Sequence, residues 1–379
     1  MSEPSPTPRL LPRYDLPTTG GRYLLVYGDL VGDPPRDDPE VVEEPARLQE
    51  RLDRLTGTWI AVSPARNVRP HSSIDRGCPL CPGGPEVPFA YRAAVFENRF
   101  PSLRGDPPPV PADPRFARSI GRCEVVLYTQ EHTGSLATLT PDELANVVAV
   151  WRDRAADLWA DERHRFVMPF ENRGEAVGAT LSHPHGQIYA FDHLPPLVAL
   201  RVDAVHAHAS VNGGECLGCR VVAEDDAGER IVAANGSFAV AVPFAPHWPF
   251  EVHVRARRHG ARRLTDLTPP ERRDLAAALR DVVLRYDSLF GFELPYMMVL
   301  LDAPADAEGR PVDGWHFAVE FYPPHRSERL TKVRASVETA TGLFINDTLP
   351  EVNARRLAAL GGARPEEVEA VEVVRTGDA

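Results

Sequence analysis

The chain has 379 residues, 43% of them hydrophobic and 25% charged, which is ordinary globular composition and enough length to bury two packed units. A formal net charge of -12 excludes the broad positive field of a general nucleic-acid or membrane-surface binder, so an anionic substrate must be met by a few placed cations. No apolar run approaches the roughly 20 residues of a spanning helix, and MSEPSPTPRLLPRYD lacks the apolar core of a signal peptide, which makes the cytoplasm the expected compartment.

Proline-rich polar stretches at 1–13, 31–40 and 104–114 read as a tail and loops. TWIAVSP (58–64), AAVFENRF (93–100) and CEVVLYT (123–129) carry strand patterns. TLTPDEL opens a helix over 141–160, with proline at its start and acids in its first turn, and RFVMPFEN and HGQIYAF follow as strands. The second half repeats this order. A C-x-x-C pair at 216 and 219 precedes the strands SFAVAVPF (237–244) and PFEVHVRA; then come His259, a helix over 269–286 opened by DLTPPER, and the strands PYMMVLL and HFAVEFYPP. EHTGSLATLTPDEL around His132 matches RHGARRLTDLTPPER around His259, and HPHGQIY at 183 matches HFAVEFY at 316. Two degenerate copies of one α+β unit, expected at 14–197 and 198–379, explain the length better than unrelated domains.

Four of the five cysteines form two C-x-x-C pairs, Cys78 with Cys81 and Cys216 with Cys219. In a reducing compartment such pairs read as metal ligands or redox dithiols. Cys123, in the strand-like CEVVLY, reads as a buried inert thiol. Of 42 basic residues only Lys332 is lysine; the rest are arginine, as a codon bias would produce.

The segment TLSHPHGQIYAF (180–191) places His183, His185 and Gln187 at every second position, so a strand there would present all three on one face. Pro184 and Gly186 between them suit a sheet edge that a ligand approaches. A histidine pair two apart fits metal ligands, a nucleophile with its neighbour, or satisfied polar groups at a strand end. Cys78, Cys81, His132 and His183 make a candidate closed Cys2His2 site, structural because it leaves no position for water. The approach ENRGEAVGATLSHPHGQ brings Gly174 and Gly178, which allow backbone amides to point at a phosphate. An imidazole attacks phosphorus when its other nitrogen is held protonated by a carbonyl, and a neutral amide beside it bonds a phosphoryl oxygen without supplying a proton. That combination favours a covalent nucleotidyl-histidine over hydrolysis.

HPHGQ with its lead-in FENRGEAVGAT resembles the active-site segment of galactose-1-phosphate uridylyltransferases, in the histidine-triad superfamily. The resemblance extends through RLDRLTGTWIAVSPARNVRP, CPLC, VFENRFPSL, EHTGSLATLT, FAPHWPFEVHV, LPYMMVLLDAP and EFYPPHRS. It implies an α+β fold of two related histidine-triad-like units, antiparallel half-barrels with packed helices. It also implies a ping-pong transfer of a uridylyl group from UDP-glucose to galactose 1-phosphate. Carried over by position, the nucleophile is His185 and the assisting amide Gln187. Structural zinc falls on Cys78, Cys81, His132 and His183, with no organic cofactor. Nucleotide and phosphate contacts fall on Arg66, Arg69, Asn98, Asn172, Gly178 and Thr180. Lys332 and Glu338 match sugar contacts that family members supply across a homodimer, though Val333 and Val337 stand where the family often has aromatic residues.

Some family members carry a further iron-type site of one glutamate and three histidines; those positions here read Arg201, Leu301, Ala318 and Glu320, so that site is expected to be absent. The repeat instead suggests a second zinc at Cys216, Cys219, His259 and His316, and Ala318 in the place of His185 denies this half the chemistry. Two other readings stay open: an adenylyl-transferring phosphorylase of ADP-sugars or dinucleoside polyphosphates on the same framework, and a zinc-stabilised nucleotide-binding module without catalysis.

Overall fold

Runs of β-branched and aromatic residues with a two-residue period build most of the framework. The computed structural model describes residues 9–17, 22–29, 48–68, 77–361 and 371–376. The first half comprises β1 (Arg9–Pro17), β2 (Tyr23–Tyr27), β3 (Gln49–Asp53), β4 (Thr58–Val62), β5 (Ala93–Glu97), β6 (Phe116–Ala117), β7 (Gly121–Leu127), helix α1 (Pro141–Trp159), β8 (Phe166–Arg173) and β9 (His185–Phe191). The second half continues with α2 (Pro196–Val211), α3 (Leu217–Ala227), β10 (Ile231–Ala234), β11 (Phe238–Ala241), β12 (Val252–Ala256), α4 (Pro269–Phe290), β13 (Tyr296–Leu301), β14 (Ala318–Tyr322), α5 (Ser336–Thr341), α6 (Pro350–Ala359) and β15 (Val371–Arg375).

Twelve strands form one sheet in the order β10-β11-β12-β14-β13-β8-β9-β7-β5-β2-β1-β15, and β3, β4 and β6 form a small separate sheet. Every pairing is antiparallel except β1 with β15. The order is symmetric about the junction of β8 and β13, so that β8-β9-β7-β5-β2 on one side matches β13-β14-β12-β11-β10 on the other. The two half-sheets therefore join edge to edge: β8 and β13 pair from Arg173 opposite Tyr296 to Phe170 opposite Val299. This pairing removes what would be an unpaired strand edge on each unit.

One face of this sheet carries α1 and α4, packed against each other over the main core. Both helices start the same way. The Thr140 hydroxyl accepts from Glu143 N and the Glu143 carboxylate accepts from Thr140 N at 2.8 Å; Thr268 and Glu271 repeat the arrangement at 2.8 Å. Each such box contributes about 1 kcal/mol to its helix. On the opposite face the halves differ. In the second half, Val198, Val202 and Val205 of α2 cluster with Leu301 of β13.

The structure adds several elements that the sequence reading did not name, and two departures are instructive. Residues 9–13 are not tail but strand, because β1 pairs with both β2 and β15. Helices α2 and α3 were not foreseen, because α2 carries apolar residues on its outer side too, with Leu197 and Leu200 exposed, which blurs its period. Among the described residues, no helix is long and apolar enough to cross a membrane.

Candidate active site and metal centres

In β9 the burial alternates so that Gly186, Ile188 and Ala190 enter the core while His185, Gln187 and Tyr189 face outward. These three line a cavity of about 220 Å³. Strand pairing begins at His185, opposite Leu127, so His183 lies just outside the ladder and does not line the cavity. The shared face read from spacing thus holds for His185 and Gln187, and His183 points to a different site.

The imidazole of His185 is oriented: its Nδ1–H donates to the His183 carbonyl at 2.7 Å, which leaves Nε2 as the free lone pair. Burial lowers its pKa below the usual histidine value, against the opposing effect of that hydrogen bond, so the neutral ring is favoured. Asn98 Nδ2 donates to Gln187 Oε1 at 3.3 Å, so the Gln187 amide nitrogen remains a donor for a ligand. Asn98 is itself fixed, its Oδ1 accepting from Phe100 N at 2.8 Å.

Asn98, Asn172, Gly178, Thr180 and Arg66 also reach the cavity wall. The Arg66 guanidinium donates to Tyr189 Oη at 2.9 Å and to Ser102 Oγ at 3.0 Å. Gly178 has φ +81° with open space where a Cβ would stand, a backbone state that most side chains strain to adopt. Phe96, Val125, Leu80 and Leu181 supply an apolar wall suited to a flat ring. Arg69 lies outside the described residues.

The first metal cluster forms where the turn Cys78–Gly84 meets the ends of two strands. Cys78, Cys81, His132 and His183 offer ligand atoms that all lie within 4.8 Å of one another. His183 Nε2–H donates to Thr129 O at 2.9 Å, which turns Nδ1 toward Cys81 Sγ at 3.6 Å. Burial, then the neighbouring Cys78, pushes the Cys81 thiol up to about 11, and burial lowers His183 to about 4. A divalent cation would overcome both effects by holding thiolates and neutral imidazole. The turn is tight: a Cβ on Gly84 would stand 2.7 Å from Pro79 O and 2.8 Å from Cys81 O.

Cys216, Cys219, His259 and His316 converge in the same way. His316 Nδ1–H donates to Ala256 O at 2.8 Å, and its Nε2 lies 3.4 Å and 3.3 Å from the two sulfurs. Either cluster could hold a metal ion, since two thiols and two oriented imidazoles match tetrahedral coordination at about 2.0–2.3 Å per bond.

Lys332 and Glu338 do not line the cavity. Both are buried against each other at 2.7 Å, and Lys332 Nζ also donates to Ile345 O. Arg201 binds both oxygens of Glu320 at 2.8 Å and 2.7 Å. Cys123 is fully buried and free, as expected.

Three site residues escaped the sequence reading. Tyr91 donates to Leu80 O at 2.7 Å and lies 3.0 Å from His183 Nε2, bracing the cysteine turn. Tyr189 carried a signal, being two residues beyond Gln187 on the same strand. Glu86, in the cavity wall and paired with Arg22 and Arg99 at 3.0 Å and 2.9 Å, carried none, since its place depends on how the cysteine turn folds.

Comparison with known proteins gives matches over most of the chain. Residues 40–195 match the N-terminal domain of galactose-1-phosphate uridyl transferase and residues 198–368 its C-terminal domain. A galactose-1-phosphate uridylyltransferase of Thermotoga maritima is 40% identical over 314 residues, covering 82% of this chain and 98% of that protein. One from Streptomyces lividans is 36% identical, covering 79% and 85%. A solved uridylyltransferase structure superimposes with a TM-score of 0.74 at 31% identity, covering 83% of this chain and 98% of that one. An ADP-glucose phosphorylase from Arabidopsis thaliana shares the fold, with a TM-score of 0.64 at 23% identity over 82% of this chain and 98% of that one.

Proposed function

The chain belongs to the galactose-1-phosphate uridylyltransferase family, and we propose that it moves a uridylyl group from UDP-glucose to galactose 1-phosphate through a covalent histidine intermediate. The observation that carries this reading is the oriented His185, with Nδ1–H bound to a carbonyl and Nε2 free, beside Gln187 in one cavity.

In the first step His185 Nε2 attacks the α-phosphorus of UDP-glucose, forming a P–N bond as the bond to the bridging oxygen breaks. Glucose 1-phosphate leaves as an anion and requires no acid. The positive charge that develops on the ring is stabilised through Nδ1–H by the His183 carbonyl. The Gln187 amide N–H and the backbone around Gly178 donate to the phosphoryl oxygens, and Asn98 holds the amide in that orientation. In the second step a phosphate oxygen of galactose 1-phosphate attacks the same phosphorus and expels Nε2, giving UDP-galactose. The apolar wall of Phe96, Val125 and Leu80 takes the uracil, and Arg66, Asn172 and Thr180 take the phosphates and ribose.

The same reading assigns zinc to Cys78, Cys81, His132 and His183, and a second zinc to Cys216, Cys219, His259 and His316. Zinc would supply cross-linking of the chain rather than chemistry, because each set of four protein ligands closes the coordination shell. The two units divide near residue 197, the protein is a cytoplasmic homodimer, and Lys332 and Glu338 belong to a segment that the sugar site shares between subunits.

Incubation with UDP-glucose in the absence of acceptor tests the reading by intact mass. One UMP adduct per chain is expected, acid-labile and missing in His185→Ala. An AMP adduct from ADP-glucose would replace it with the phosphorylase reading, and no adduct from either would replace it with the binding module.

A further inference from the structure

Behind the catalytic strand the core holds a polar group that neither the fold nor the transfer has accounted for. Glu171 of β8 follows Phe170, which pairs with Gln187, so its side chain enters the opposite, buried face of the sheet. Tyr296, from the other half of the molecule, donates to Glu171 Oε1 at 2.9 Å. The Tyr128 hydroxyl faces the same carboxyl, yet neither it nor Glu171 Oε2 has a partner at hydrogen-bonding geometry. Tyr128 is fully buried, and its hydroxyl presses on Gly186: a Cβ there would stand 2.1 Å from the Tyr128 oxygen. Gly186 separates His185 from Gln187.

The second half shows that the fold itself does not need this arrangement. By ladder position Glu171 corresponds to Leu300, Tyr128 to Ala256 and Gly186 to Val319. All three counterparts are apolar and buried. Where Tyr128 leaves no room for a Cβ, the second half fills the space with a valine. The polar version exists only beside the nucleophile, although an unpaired polar group in the core costs stability.

We propose that Glu171 is a positioning residue: as a neutral carboxylic acid acting through the Tyr128 hydroxyl, it fixes the depth of Gly186 and so the alignment of His185 and Gln187. In the neutral form Oε2 carries a hydrogen for the Tyr128 oxygen while Tyr296 satisfies Oε1, which leaves the Tyr128 hydrogen as the one group of the pair without an acceptor but places no uncompensated charge in the core. The chemistry agrees with this form, since burial pushes the Glu171 carboxyl up to about 7 against the Tyr296 and Tyr128 hydroxyls and the Arg173 charge. Arg173 is itself committed to Asp287 at 2.8 Å and to Glu293 at 3.5 Å. Ionisation of Glu171 would place a charge behind the strand and turn its oxygen from donor to acceptor toward Tyr128.

This inference rests on the transfer proposed above, and its first test does not. Infrared spectra at pH 6 should show a protonated carboxylic acid band that Glu171→Gln removes; its absence in the wild type would overturn the proposal whatever the activity. With UDP-glucose and galactose 1-phosphate, wild-type kcat should fall on the alkaline side with an apparent pKa near 7 while KM holds. Glu171→Gln, neutral at every pH, should keep kcat below pH 6 and lose that alkaline limb; an unchanged limb would overturn the proposal. The triple variant Glu171→Leu, Tyr128→Ala, Gly186→Val copies the second half. It should still fold, with a Tm lowered by the lost packing of Tyr128 on Trp151, while kcat measured well below that Tm drops about 100-fold, the scale of an ångström-level misalignment. Full activity in that variant would also overturn the proposal.

Discussion

The two halves share one ladder and one pattern of Cys and His clusters, yet only one half carries a histidine at the position of His185. On β9 the outward residues are His185, Gln187 and Tyr189; on its counterpart β14 they are Ala318, Glu320 and Tyr322. In the first half that face opens into the cavity, with Arg66 on the tyrosine hydroxyl. In the second, α2 lies over it and Arg201 forks onto Glu320. The two Cys/His clusters also differ in build. Cys78 and Cys81 lie on a tight turn, while Cys216 caps α3 and accepts from Cys219 N at 3.4 Å. His132 stands five positions after Leu127, and His259 four positions after the matching Arg255. The carbonyl that orients the buried histidine is correspondingly Thr129 O in one half and Ala256 O in the other, and the ring turns Nδ1 or Nε2 toward the sulfurs. A Cys/His cluster present in both halves despite such changes, where the cavity histidine is present in only one, is expected to serve the fold rather than the chemistry.

The sharpest way to break this contrast is to exchange residues across it. His185→Ala should lower turnover by at least about 10⁴-fold, the scale of losing a nucleophile. Gln187→Glu imports the second half's carboxylate, which repels a phosphoryl oxygen instead of donating to it, and should cost about 10²–10³-fold. The converse change, Ala318→His, should leave the adduct at one UMP per chain, because α2 and the Arg201–Glu320 pair occupy that face. Two adducts per chain would show that the second site is latent rather than closed.

Metal removal separates fold from chemistry at the next level. Metal analysis should find two zinc ions per chain, and one or fewer would remove the second site. Cys216→Ser should cost about 4 kcal/mol if the metal stands a thousandfold above its Kd, which lowers Tm by roughly 5 °C for a chain of this size. Its kcat should stay within about twofold, since no cavity residue hangs on that cluster. Cys81→Ser should show the same thermal loss and a fall in kcat as well, because its turn carries Pro79 and Leu80 into the cavity wall.

Much of this was legible in the sequence because it was local. HPHGQ pointed to His185 and Gln187 on one face, which do line one cavity, and both C-x-x-C pairs pointed to histidines that the chain does bring within 4.8 Å. Thr-Pro starts with early acids announced α1 and α4, and the structure adds a capping box at each. What escaped was long-range. The seam between β8 and β13 depends on two edges meeting, which no local pattern encodes. Strand β1 was hidden by Pro12 and Pro17, whose missing donors suggest a loop until β2 and β15 are seen flanking them. His183 broke the even-spacing rule because the ladder starts two residues later. Lys332 stood out only by composition; its neighbour Glu338 and the carbonyl of Ile345 come from a turn that the sequence does not display.

The smallest expected effect tests the closed face of the second half. Removing Arg201 leaves the buried Glu320 carboxylate to the Tyr322 hydroxyl and to His253 at 3.5 Å, although Arg201 itself remains 38% exposed. Its loss should therefore cost about 2 kcal/mol, below the value for a fully buried pair. Arg201→Ala combined with Glu320→Gln should recover most of that. The pH dependence gives the sign independently. Against burial, which would raise it, His253 and Arg201 hold Glu320 far below the usual carboxylate range. A depressed carboxylate contributes its full stability above the unfolded value of about 4.3 and loses it as pH falls toward the folded one. The Tm gap between wild type and Glu320→Gln should therefore be widest at neutral pH and close below pH ~4, with kcat unaffected at pH 7. A gap that persists in acid would mean that packing, not charge, closes this face, and the contrast with Gln187 would then be one of shape alone.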